Sequence, residues 1–170
     1  MQKFALLLTL LLILFSNCGE SAPQCAHGEP AAIFSDKMPF VKNHSYQQKE
    51  RETSEQVDIP EFNLSLEILQ SGCERIKQMF KITLNGTQNN LSQAPQVAEL
   101  TADIFAAISE LDKDKLGNFF QMAQWVGNNA AQFDFDIPVT ISNPDNSQIL
   151  LSINLMKEPR QTIISLTVEF

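Results

Sequence analysis

Cys25, His27, His44 and Cys73 have the widest chemical range in this 170-residue chain. Thiolates and imidazoles together hold zinc, and a thiolate beside an imidazole base is a nucleophile. Their spacing follows none of the standard zinc patterns: there is no CxxC and no HxxxH, and nothing places a base beside a thiol. The expectation is two solvent-facing histidines with no metal and no cofactor. Asp112, Asp114 and Gly117 echo a calcium loop, but the fifth and twelfth places, which need oxygen ligands, hold Leu116 and Ala123. A turn between two helices explains these residues better, with Asp114 as the N-cap of the second. Asp134 and Asp136 alternate with apolar residues, which predicts two carboxylates about 7 Å apart on one strand face. Such a pair could hold a cation or a sugar, and a solvated face is the common alternative. Trp125 lies off its helix's apolar stripe and is expected to pack at the helix–sheet boundary. No GxSxG, P-loop, GxGxxG or HExxH occurs, so no catalytic residue is assigned.

The elements that must position these residues follow from periodicity. Phe62, Leu64, Leu66 and Ile68 alternate with polar residues, as do Phe80, Ile82 and Leu84 after the Gln70–Gly72 turn. Together they predict an antiparallel hairpin that ends at Asn85–Gly86. Asn43–Gln48 and Val57–Ile59 are weaker strand candidates, separated by the polar stretch Gln47–Gln56. Val97, Leu100, Ile104, Phe105, Ile108 and Leu111 have helical spacing, with Pro95 near the first turn. Leu116, Phe119, Phe120, Ala123, Val126 and Ala130 predict a second helix, and the short link between them favours an antiparallel pair. Phe133–Ile141, Ile149–Leu155 and Ile164–Phe170 then predict three strands in a meander. Pro138 suits an edge or a bulge in the first of them. The fold class is α+β. An antiparallel sheet of about five to six strands is expected, with a two-helix hairpin inserted between a first hairpin and a C-terminal three-strand meander.

The N-terminus carries a different signal. Lys3 precedes the apolar run Phe4–Phe15, broken only by Thr9. Its twelve residues fall short of the about 20 that a spanning helix needs, and suit the h-region of an export signal. Residues 14–19 read Leu, Phe, Ser, Asn, Cys, Gly. This resembles the lipobox of bacterial lipoprotein precursors, though Asn17 and Phe15 depart from the usual small residues. The resemblance covers residues 1–18 only. It implies a diacylglycerol on the Cys18 thiol, cleavage before Cys18, and retention at the cell envelope. Gly19 in place of Asp implies the outer membrane. The alternative is ordinary signal cleavage with Cys18 incidental.

Three regions follow: an export signal at 1–17, a lipidated cysteine and flexible tether at 18–32, and one α+β domain at 33–170. Loss of residues 1–17, whose sole charged side chain is Lys3, changes the net charge from −8 to −9. That acidity argues against non-specific nucleic-acid binding, which needs a basic surplus. Export permits a disulfide between Cys25 and Cys73. The loop it would close is 49 residues long, worth roughly 4 kcal/mol in the chain-entropy model. Two unpaired thiols are the alternative.

The function expected is a lipid-anchored envelope protein acting as a non-enzymatic binding or interaction module. Its partners would be the membrane, through the N-terminal lipid, and either an envelope protein or a small apolar ligand. Two alternatives stand beside it: a freely secreted glycoprotein and a small envelope enzyme without a recognisable motif. The four N-x-S/T sites, at Asn43, Asn63, Asn85 and Asn90, bear on the glycoprotein reading.

Overall fold

The computed structural model describes residues 30–72, 75–86, 88, 90–142 and 147–170. Cys18, Cys25, His27 and Cys73 lie outside the described residues, and with them the lipidation site, the disulfide and most of the imagined metal set. The described chain forms seven strands and two helices. The strands are β1 (Lys42–Lys49), β2 (Glu52–Ile59), β3 (Leu64–Ser71), β4 (Lys77–Asn85), β5 (Val139–Ser142), β6 (Gln148–Glu158) and β7 (Gln161–Glu169). The helices, α1 (Ala94–Leu111) and α2 (Gly117–Asn128), fall between β4 and β5. All pairings are antiparallel, in the order β1-β2-β3-β4-β7-β6-β5. This is the expected α+β architecture; the weaker strand candidates Asn43–Gln48 and Val57–Ile59 fall in β1 and β2 and extend the first hairpin into a four-strand meander.

The polar stretch Gln47–Gln56 lengthens both candidates: it turns at Glu50–Arg51 and supplies the end of β1 and the start of β2. β1 has no apolar face, so its hydropathy carries no period. It is an edge strand with Lys42 and Lys49 at its ends and a bulge after Lys42, features that discourage further pairing.

The predicted strand over Phe133–Ile141 is corrected. Only Val139–Ser142 is strand; Ala130–Gln132 is a 3-10 turn, and Asp134 and Ile137 form an isolated bridge across a tight turn. Asp136 has a left-handed φ of 63°, a conformation that Asp tolerates better than most residues. The alternation of Phe133 and Phe135 imitates a strand because both rings pack toward the core from irregular backbone.

Period-two alternation gives the sheet two unlike faces. Ile59, Leu66, Ile68, Ile82, Leu151 and Leu166 point to one side, and each is essentially inaccessible to water. The helix pair covers that side. Phe119 of α2 lies 5.3 Å from Phe105 of α1, 6.0 Å from Phe80 of β4 and 5.8 Å from Phe34, measured between ring centroids. One ring thus joins both helices, the sheet and the N-terminal segment.

Candidate functional site

Among the described residues, no element covers the face opposite the helices. Strand register sets its side chains in rows. One row runs Ser54, Leu69, Met79, Thr167 and Ser152 across β2, β3, β4, β7 and β6. The next runs Gln56, Glu67, Lys81, Ser165 and Asn154, and the third Asp58, Ser65, Thr83, Ile163 and Met156. Hydroxyls and amides dominate, as expected of a wetted face. Apolar side chains nevertheless interrupt it: Met156 is 59% exposed and Leu69 39% exposed, while Ile163 is buried opposite Met156. Two shallow depressions share Met79. One, of about 320 Å³, runs over β1–β4 beside Leu69. The other, of about 510 Å³, runs over β4, β7 and β6.

The charges on this face are unevenly matched. Lys77 pairs with Glu169 at 2.9 Å and Lys81 with Glu67 at 3.3 Å. Asp136 and Glu158, which border the larger depression, meet no cation among the described residues. Asp136 accepts from the Asn154 side-chain amide at 2.7 Å, and Glu158 accepts from Gln161. Asp134 and Asp136 therefore do not form the expected strand-face pair. Asp134 closes its own turn by accepting the Phe135 N–H.

A second polar cluster sits on the covered side of the sheet. Glu55 is fully buried, yet its carboxylate is fully engaged. Its two oxygens accept the backbone N–H groups of Ile33 and Phe34 at 2.8 Å each, and His44 Nε2 lies 2.8 Å from Oε1. His44 Nδ1 in turn lies 3.2 Å from Asp36. Both imidazole nitrogens and both Glu55 oxygens are thus occupied by the protein itself. Among the described residues no group of three or more histidine, cysteine, aspartate or glutamate side chains is arranged to hold a metal. The cluster is a clamp. It holds residues 30–41 over β1 and β2, assisted by Tyr46 donating to the Pro30 carbonyl and Gln70 to the Ala31 carbonyl. Sequence reasoning missed Glu55 because it fell in the polar stretch. The available signal was parity: Thr53, Glu55, Val57 and Ile59 alternate, so Glu55 belongs to an inward face.

Other sequence candidates find structural duties. Asp112 Oδ1 accepts the Lys115 N–H in the turn between the helices. Asp114 is not an N-cap, since α2 begins after Leu116 without a side-chain cap. Trp125 packs edge-on against Phe170 at 5.9 Å, at the boundary expected of it. Asn43 and Asn63 occupy left-handed backbone at φ 50° and 52°, where Asn is favoured. Asn63 also accepts hydrogen bonds from the Asn85 amide.

No protein-family model, curated protein or solved structure matches this chain.

Proposed function

We propose that this chain is a lipid-anchored cell-envelope protein that acts as a binding module, with the open sheet face as its contact surface. The observation that supports the contact surface is the asymmetry of the sheet. One side is sealed by two helices and the clamped N-terminal segment, while the other carries exposed Leu69 and Met156, one in each of two shallow depressions that share Met79. A sheet face with no partner needs only polar outward residues; apolar ones set in depressions suit a ligand or protein surface. The anchor rests on the lipobox resemblance around Cys18. Among the described residues no helix is long and apolar enough to cross a membrane, and an acylated Cys18 would supply the attachment instead.

Binding is favoured over catalysis by the state of the His44–Glu55 cluster. His44 and Glu55 are saturated by each other, Asp36 and backbone donors, so neither is free to act as a base toward a substrate. Cell fractionation tests the anchor. The chain should sediment with membranes, and Cys18→Ala should move it to the soluble exported fraction. A Cys18→Ala protein that stays membrane-bound contradicts the proposal.

A further inference from the structure

We propose that the groove over β4, β7 and β6 receives an extended basic segment of a partner polypeptide; this deepens the reading of the open face as the binding surface and rests on it. Its floor is a polar field of Ser152, Asn154, Ser165 and Thr167 interrupted by one apolar strip, Met156 beside Ile163, with Met79 two rows away. At its border stand Asp136 and Glu158, two carboxylates that among the described residues meet only neutral amides. The single lysine lining the groove, Lys81, is already neutralised by Glu67. The groove therefore presents uncompensated negative charge beside an apolar strip. Cationic side chains with long aliphatic stems satisfy both features, because the stem lies along apolar surface while the charged end reaches a carboxylate.

Spacing argues for an extended chain. Asp136 is fixed to Asn154, and Glu158 lies four residues further along β6 on the same face. Four strand residues span about 13 Å. In an extended peptide, residues i and i+4 are separated by the same length and face the same side, with i+2 between them. A cation, an apolar residue and a second cation at those places would meet Asp136, the Met156–Ile163 strip and Glu158. The shallow form of the groove also suits a polypeptide, since small-ligand sites enclose most of their ligand.

The test uses the full chain in detergent and a fluorescein-labelled peptide repeating Lys-Ser-Leu-Ser, read by fluorescence anisotropy. A repeat of Glu-Ser-Leu-Ser is its counterpart. The lysine peptide should bind more tightly, and its affinity should fall as salt is raised. Asp136→Asn with Glu158→Gln should weaken it about tenfold. Glu99→Gln with Asp103→Asn, on exposed positions of α1, should leave it unchanged. Equal loss in both double variants would mean general charge attraction and overturn the proposal. Preferred binding of the glutamate peptide, lost when Met79 and Met156 are changed to Ser, would overturn the cationic partner while keeping the open face as a binding site. Binding of neither peptide overturns the basic-segment proposal and leaves the anchor, tested separately by fractionation, unaffected.

Discussion

Glu55 is a carboxylate removed from water, and such burial is tolerated only where hydrogen bonds replace the lost solvation. Two backbone amides and an imidazole do so here. Glu55→Gln keeps a single acceptor oxygen and turns an NH₂ group toward a donor. One bond is lost and one repulsive contact is created. The expected destabilisation is about 2–4 kcal/mol, hydrogen bonds to charged groups being worth roughly 1.5–3 kcal/mol each. Thermal unfolding measures it: Glu55→Gln should lower Tm by several degrees, while Glu61→Gln on the exposed surface should barely change it. Equal effects would mean that the clamp contributes nothing. Residues such as Asn43, Asn63 and Asp136 show a different limit at this scale. Their left-handed backbone explains their types, but only after the turns around them are known.

At the scale of elements, Phe119 joins parts that are distant in sequence. Its ring meets Phe34, Phe80 and Phe105, so it ties the clamped segment, the sheet and α1 to α2. Phe119→Ala should cost about 3–5 kcal/mol, the range for deleting a buried aromatic. Phe120→Ala, next in sequence but half exposed, should cost under about 0.5 kcal/mol. Chemical denaturation of both variants separates them, and similar midpoints would refute the arrangement. Both helices and β3, β4, β6 and β7 were legible because each buries one periodic face. β1 was only faintly legible because it buries almost nothing. The strand expected at Phe133 was misread because two aromatic residues at alternate positions look alike in a strand and in a turn over the core. Of the open face, the parity of each strand was readable but the rows were not, since register joins residues such as Met79 and Thr167 that are far apart in the chain.

The described residues form an α+β fold with one sealed face and one open face, and their N-terminal segment is clamped from Pro30 onward. The clamp defines where the proposed tether ends. Pull on a membrane-anchored N-terminus would reach the sheet through residues 30–41 and Glu55. A Cys25–Cys73 bond, the alternative to two unpaired thiols, would reinforce the same junction if it formed. Gln70, three residues before Cys73, donates to the carbonyl of Ala31, six residues after Cys25. Alkylation of the denatured chain should modify Cys25 and Cys73 only after reduction; modification without reductant would mean that the thiols are free.

The anchor underlies the envelope reading, and the intact mass of the mature protein tests it most directly. The expected species begins at Cys18 and carries a diacylglycerol adduct on that residue. An unmodified chain, or one cleaved at any other position, would contradict a lipid-anchored protein and favour free secretion.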